Sequence, residues 1–148
     1  LLRKEWKSSA LTLQLLYAAD RSHHLATEIE PAIKKNKIVV CDRYILSTLA
    51  YGMLNINTNF LKQLNANFRV PDITILLDAH PRVCMQRMKK TIFHVEAFED
   101  EHTLDSVRKN YLSLKNYFSN TKIIDANKTI EDISADIQKI VDKQILGR

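Results

Sequence analysis

Residues 71–81, which read PDITILLDAHP, contain the pattern that decides the fold class. The run from Ile73 to Leu77 is too apolar for a half-exposed strand, so it predicts a buried strand of a parallel sheet. Pro81 then stands where a helix is expected to begin, because proline is favoured in the first turn of a helix. A strand followed by a helix is the repeating unit of an α/β protein.

The sequence upstream of this stretch shows the same alternation. Apolar residues recur at helical spacing from Ala10 to Lys35, which predicts one long helix that bends near its end, at Pro31. Asn36 is suited to the left-handed turn that ends a helix. Residues 37–41 are apolar and β-branched, and they predict another buried parallel strand. Two shorter helices are predicted over residues 44–51 and 60–68.

The downstream half continues the alternation to the end of the chain. A helix is predicted over residues 104–118, a third strand over 122–124 and a closing helix over 130–145. We therefore predict one domain over residues 1–148, with a three-layer, mostly parallel sheet covered by helices on both faces. In such sheets ligands gather at the carboxyl ends of the strands. The three predicted strands end at Asp42, Asp78 and Asp125.

Composition narrows the class of protein. No apolar run is long enough to span a membrane, and the two cysteines suit a reducing compartment, so we expect a cytoplasmic protein. The formal net charge of +5 admits an anionic partner, either nucleic acid or a phosphorylated small molecule. The basic residues are scattered without interleaved aromatics, which argues against a nucleic-acid partner.

Two sets of polar residues are candidates for chemistry. Asp42 and Arg43 follow a predicted strand, where a carboxylate suits Mg²⁺ and a guanidinium suits phosphate, or where the pair simply caps the next helix. Tyr17 and Arg21 are four residues apart on one helix and can stack on and bond to a base, or can be ordinary packing and surface groups. Ser47 and Tyr51 share a helical face in the same way and can present their hydroxyl groups to the same cleft, or can serve for ordinary capping and packing.

These residues stand within a wider resemblance to a known family. Residues 15–21, 29–33, 40–44 and 47–51 resemble the thymidylate kinases in order and spacing. The resemblance continues through residues 71–78, Arg87, 98–99 and 124–126. It implies a P-loop nucleoside-monophosphate kinase fold and transfer of the γ-phosphoryl group of ATP to dTMP, with Mg²⁺ as cofactor. It also suggests a homodimer.

The resemblance further implies a role for each candidate residue. On the acceptor side, Tyr17 would stack on thymine, Arg21 would contact the base, and Tyr51 would lie near the deoxyribose. Catalysis would involve Arg43 holding the acceptor phosphate and Asp42 placing Mg²⁺. On the donor side, Arg87 would act near ATP at the base of a lid over residues 91–103. Asn127 and Lys128 would lie beside adenine.

Some features depart from the family pattern. The sequence contains no Gly-x-x-x-x-Gly-Lys-Ser/Thr phosphate loop, so we expect that loop and the first strand to lie roughly 50 residues upstream. The 148 residues alone are then expected not to bind ATP productively, and a pseudoenzyme that naturally has no such loop is the alternative. The lid contains no arginine, and Gly52 stands where relatives commonly have glutamine.

Two other readings of the function remain open. Another deoxynucleotide or deoxynucleoside kinase would share this fold and the Asp-Arg pair. A non-enzymatic basic module would instead bind nucleic acid with a steep dependence on salt.

Overall fold

The computed structural model describes residues 8–91 and 100–147, which form a mixed arrangement of helices and strands. The chain divides into two compact units, Leu1–Arg69 and Val70–Arg148. Most of the predicted lid, residues 92–99, lies outside the described residues. No helix in the described part of the chain is both long and apolar enough to cross a membrane.

The first unit opens with the predicted long helix, which is interrupted by a π-helical turn. Helix α1 spans Ala10–His24, the turn spans Leu25–Ile29, and α2 spans Glu30–Lys34. Ser9 caps α1, since its side chain accepts a hydrogen bond from the Thr12 N–H at 3.0 Å. Pro31 has no N–H group and so cannot donate the hydrogen bond that an α-helix requires at its position. The π-helical turn lies directly before α2, and the chain continues as a helix through Pro31.

The end of α2 confirms the predicted left-handed stop. Asn36 has φ of 55°, and the Lys37 N–H donates to the Ala32 carbonyl at 3.1 Å. This backbone bond closes the helix in the geometry typical of a left-handed residue just past the last turn.

The strand predicted over residues 37–41 is wrong for this structure. The segment is irregular, with Ile38 63% and Val40 89% exposed. A strand needs a neighbouring strand to bond its backbone, and residues 8–69 contain no strand. An apolar, β-branched run therefore has nothing to pair with in this unit.

Two short helices build the core of the first unit. Helix α3 spans Ile45–Gly52 and α4 spans Thr58–Asn65, capped by Asn57. Ile45, Leu49 and Leu61 are almost completely buried. The two helices approach closely at Gly52, where a Cβ atom, if one were present, would lie only 2.9 Å from the Leu61 Cδ1 atom. Burial of these side chains fixes α3, on which the candidate site depends.

The second unit contains the confirmed strands of the predicted α/β pattern. Its elements are β1 (Thr74–Asp78), α5 (Pro81–Thr91), α6 (Glu101–Ser113), β2 (Thr121–Asp125), α7 (Ile130–Val141) and a final π-helical turn (Asp142–Leu146). The two strands pair in parallel, with Asp78 opposite Asp125. Among the described residues the sheet therefore has two strands, rather than the three that the sequence predicted.

The core of the second unit lies against this small sheet. Leu76 and Ile124 are its buried strand residues, and Val107 is buried on α6. Leu77 and Ile123 are about half exposed, so the prediction that the strands are buried on both faces is wrong for the described residues. Phe118 is also buried, although α6 ends five residues earlier than predicted. An apolar ring can be buried without a helical backbone. The apolar spacing in the sequence therefore extends to Phe118, although helix α6 ends at Ser113.

Candidate active site

The guanidinium of Arg21, on α1, is held by neutral groups from α3 and α4. Its Nη1 donates to Asn65 Oδ1 at 2.6 Å, and its Nη2 donates to Thr48 Oγ1 at 2.5 Å. The rings of Tyr44 and Phe68 lie 5.2 and 5.5 Å from the guanidinium carbon, within the range of cation–π attraction. Burial lowers the pKa of Arg21, but from so high a starting value that the group stays charged at neutral pH.

Arg43 lies two residues before the start of α3 and contacts a residue of that helix. Its guanidinium carbon lies 5.5 Å from the centroid of the Tyr51 ring. The backbone of Arg43 is left-handed, with φ of 64°, a conformation that costs a non-glycine residue on the order of 1 kcal/mol or more. Backbone strain of this kind is concentrated at functional sites. Arg21 bonds to Thr48 and Arg43 contacts Tyr51, so two arginines from different segments of the chain both contact α3.

Asp42 lies beside Arg43 but does not pair with it. Its carboxylate is exposed, and no ion pair or hydrogen bond to it is found in the part of the chain that the structure describes. Helix α3 begins after Tyr44, without a side-chain cap. The alternative in which Asp42 and Arg43 form a local ion pair that caps the helix is therefore not what residues 8–91 show.

Tyr17 and Ser47 complete the predicted acceptor residues. Tyr17 is 47% exposed and lies one helical turn before Arg21 on α1. Ser47 is half-buried on α3, beside Thr48. An exposed aromatic ring one turn from a guanidinium leaves a face on which a flat ligand can stack.

The second unit has its own polar cluster at the carboxyl ends of the strands. Arg108, on α6, binds Asp78 through two bonds, Nε to Oδ1 at 2.6 Å and Nη2 to Oδ2 at 2.8 Å. The Arg108 hydrogen bond lowers the pKa of Asp78, against the opposing effects of burial and of Asp125. The pKa of Asp125 is lowered first by its hydrogen bond from the Asn127 N–H. Both carboxylates are therefore held in the charged form.

Arg87 reaches from α5 to the turn that follows β2. Its Nη1 donates to the Ala126 carbonyl at 2.8 Å, and its Nη2 donates to the Lys128 carbonyl at 3.2 Å. The Asn127 side chain accepts from the His80 N–H at 3.0 Å, and Lys128 pairs with Asp136 at 3.0 Å. The predicted donor residues Arg87, Asn127 and Lys128 are therefore gathered at one turn, which Arg87 closes.

The family follows from comparison with known proteins. The model of the family described as thymidylate kinase matches residues 1–137. The chain belongs to the thymidylate kinase family.

Individual members of the thymidylate kinase family are similar to the chain over most of its length. The chain is 38% identical over 134 residues to a probable thymidylate kinase of Pyrococcus horikoshii, covering 90% of this chain and 65% of the relative. It is 38% identical over 138 residues to one of Sulfolobus acidocaldarius, covering 92% and 69%. It is 39% identical over 132 residues to a thymidylate kinase of Onion yellows phytoplasma, covering 82% and 63%. The chain thus spans about two thirds of the length of these curated relatives.

Sequence reasoning missed several residues that surround the predicted ones in this thymidylate kinase family member. Thr48, Asn65 and Phe68 hold Arg21, and none of them was predicted. Arg108, the partner of Asp78, was also missed. Thr48 could have been found from the sequence, because it follows the predicted residue Ser47 directly on α3. No sequence pattern connects Asn65 or Phe68 with Arg21.

Proposed function

We propose that the protein is an ATP:dTMP phosphotransferase, which converts dTMP to dTDP. The observation that carries the proposal is the family match over residues 1–137. The relatives described above, a thymidylate kinase and a probable thymidylate kinase, support the same activity. The convergence of two arginines on one helix adds physical support, since the substrate carries a phosphate at one end and carbonyl oxygens at the other.

The acceptor site is assigned to the first unit. Tyr17 stacks on thymine, and Arg21 donates to an oxygen of the base, while Tyr51 lies near the deoxyribose and Ser47 faces the same cleft. Arg43 binds the acceptor phosphate through its planar fork, which matches phosphate oxygens. The Tyr51 ring beneath Arg43 supports this role, because it restrains the guanidinium without neutralising it.

The chemistry is a transfer of one phosphoryl group. An oxygen of the dTMP phosphate attacks the γ-phosphorus of ATP, the bond to the β–γ bridging oxygen breaks, and ADP leaves with that electron pair. Catalysis of this reaction depends on alignment of the reactants and on neutralisation of charge. Arg43 supplies both for the acceptor phosphate.

The residues fit Mg²⁺ as the cofactor. The described residues contain no cluster of three or more metal-ligating side chains, and Asp42 offers an exposed carboxylate. Mg²⁺ in phosphoryl-transfer sites is typically bound by one or two carboxylates together with phosphates and water, so a single aspartate suits it. When bound, the ion would neutralise charge on the transferred group, and Asp42 would hold it.

The donor site is assigned to the turn that follows β2. Asn127 and Lys128 lie beside adenine, and Arg87 acts at the base of the lid near ATP. The two bonds from Arg87 to the carbonyls of Ala126 and Lys128 support this assignment, because they give the turn a fixed shape. We assign the protein a three-layer P-loop fold and a homodimeric, cytoplasmic state on the same family grounds.

A substrate profile tests the proposal. The full-length gene product is assayed for ADP formation from ATP and Mg²⁺ with dTMP, dUMP, dCMP, dGMP and thymidine. We expect kcat/KM to be highest for dTMP, and we expect R43Q to lower it by about 100-fold, since a charge-assisted bidentate contact is lost. K34Q, which removes an exposed lysine of the same unit, is the matched control and should change kcat/KM by less than about twofold.

The competing functions predict different profiles. Equal rates with all four monophosphates would reject the dTMP assignment, and a preference for thymidine would indicate a deoxynucleoside kinase. Binding to oligonucleotides that weakens steeply with salt, without turnover of any nucleotide, would indicate a nucleic-acid-binding module.

A further inference from the structure

Arg21 is a half-buried cation whose charge is not neutralised. In the described residues, the guanidinium groups of Arg69, Arg82 and Arg108 each pair with a carboxylate, whereas Arg21 takes part in no ion pair there. Removing a charge from water is costly unless it is paired and hydrogen-bonded. The guanidinium is instead held by a neutral cage, which consists of Thr48, Asn65, Tyr44 and Phe68. Because the cage carries no charge, the positive charge of Arg21 remains available to attract another group.

Asn65 is the most deeply buried member of that cage. The residue is 2% exposed, and its Oδ1 accepts from Arg21 Nη1 at 2.6 Å. Its Nδ2 donates to the Leu61 carbonyl, one turn earlier in α4, at 2.8 Å. The second bond determines which end of the amide faces Arg21, because only the oxygen can accept from a guanidinium. The orientation of Asn65 is therefore set by its own helix.

The cage leaves part of Arg21 available to a ligand. A guanidinium carries five N–H groups, and Asn65 and Thr48 each accept one hydrogen bond from it. The two ring faces of Tyr44 and Phe68 restrain its plane without using any donor. With the plane and two donors fixed, the directions of the remaining donors are fixed as well.

We propose that Asn65 is a positioning residue for base selection, because it holds Arg21 at the angle from which its donors meet a carbonyl oxygen of the pyrimidine. The inference rests on the proposed function, in which Arg21 contacts the base. Thymine presents an acceptor oxygen at position 4, whereas cytosine presents an amino group there, which cannot accept from a guanidinium. A guanidinium that is free to rotate would lose this distinction, since it could turn its donors toward other acceptors.

A purely structural role for Asn65 is the alternative, and α4 itself provides the matched control. Asn57 caps the start of α4 through bonds to the N–H groups of Asn59 and Phe60, and it has no hydrogen bond to Arg21. Substituting the cap disturbs the same helix by an amount similar to the loss of one hydrogen bond. If Asn65 only supports α4, then N65L and N57A should have the same consequences.

The experiment compares the wild-type, N65L, N65D and N57A forms of the full-length gene product. Calorimetric titration with dTMP and dCMP gives the ratio of the two affinities, and thermal unfolding verifies that each variant is folded. We expect N65L to lower the preference for dTMP by about tenfold. We expect N57A to stay within about threefold of the wild type. N65D keeps an acceptor for Arg21 but adds a charge that neutralises it, so the affinity for dTMP should fall although the guanidinium stays held.

A second measurement needs no ligand. Rotation of the Arg21 guanidinium is followed by NMR of its Nη groups, which give separate signals when rotation is hindered and one averaged signal when it is free. Separate signals are expected in the wild type and in N65D, and an averaged signal is expected in N65L.

The outcomes separate the two proposals. An unchanged dTMP preference in N65L, or equal losses in N65L and N57A, would overturn the positioning role. A wild-type protein without any preference for dTMP over dCMP would overturn the proposed function instead. In that case the Nη signals would still decide whether Asn65 fixes Arg21.

Discussion

The ion pair between Asp78 and Arg108 should stabilise the second unit measurably. It joins the carboxyl end of β1 to the middle of α6 through two charge-assisted hydrogen bonds of 2.6 and 2.8 Å. We consider the variant R108Q, which removes the charge and the fork of donors while keeping much of the side-chain length. The Asp78 carboxylate would then stand opposite Asp125 without its cation.

The size of the effect follows from the exposure of the pair. The Asp78 side chain is 21% exposed and that of Arg108 33%, so the pair lies between a surface and a buried salt bridge. Exposed pairs contribute up to about 1 kcal/mol, and loss of one partner from a buried pair costs about 3–5 kcal/mol. We therefore expect R108Q to lower the free energy of unfolding by about 2 kcal/mol at pH 7.

The loss should depend on pH in a definite direction. Arg108 lowers the pKa of Asp78 in the folded protein below its value in the unfolded chain. A group with a lowered folded pKa stabilises the protein above its unfolded pKa, about 3.9 for aspartate, and this contribution is lost as pH falls through the folded pKa. The difference between the wild type and R108Q should therefore be full at pH 7 and shrink below about pH 4.

Urea unfolding at a series of pH values measures this difference directly. The matched control is R82Q, because the pair of Arg82 with Glu101 also links α5 to α6 but is exposed, with side-chain exposures of 76% and 52%. R82Q should change the free energy of unfolding by less than about 0.5 kcal/mol. The reasoning would be refuted if R108Q and R82Q had equal effects, or if the effect of R108Q were the same at pH 3 and pH 7.

Two further predictions concern other parts of the chain. G52A should destabilise the protein by about 1–3 kcal/mol in thermal or urea unfolding, because the new Cβ would lie 2.9 Å from Leu61 Cδ1 and 3.2 Å from Gln14 Cδ; a neutral result would mean that α3 and α4 can move apart freely. R87K keeps the charge but cannot span the carbonyls of Ala126 and Lys128, so it should raise the KM for ATP by about tenfold and leave dTMP affinity unchanged. An equal rise in both constants would contradict the donor-side assignment.

Local sequence patterns determined most of the secondary structure of this protein. The apolar run before Asp78 became β1, proline at position 81 began α5, and Asn36 adopted the left-handed conformation that ends α2. These outcomes are local because backbone conformation and short-range periodicity depend on residues within a few positions of one another. The order of motifs was also enough to indicate the family, which the family match confirms.

The strand predicted over residues 37–41 shows where local sequence patterns fail to predict the structure. Its composition is that of a buried strand, but the segment is exposed because no strand in residues 8–69 lies beside it. Composition reports what a segment can form, whereas pairing depends on a partner that is distant in sequence.

Only the tertiary structure decided which residues act together. Arg21 meets Asn65 across 44 positions of sequence, and Asp78 meets Arg108 across 30. A buried asparagine has no periodic signature that names its partner, because hydrogen bonding depends on atoms brought together by packing. The sequence therefore determined which groups could recognise a nucleotide, and the packing of α1, α3 and α4 decided how Arg21 is held.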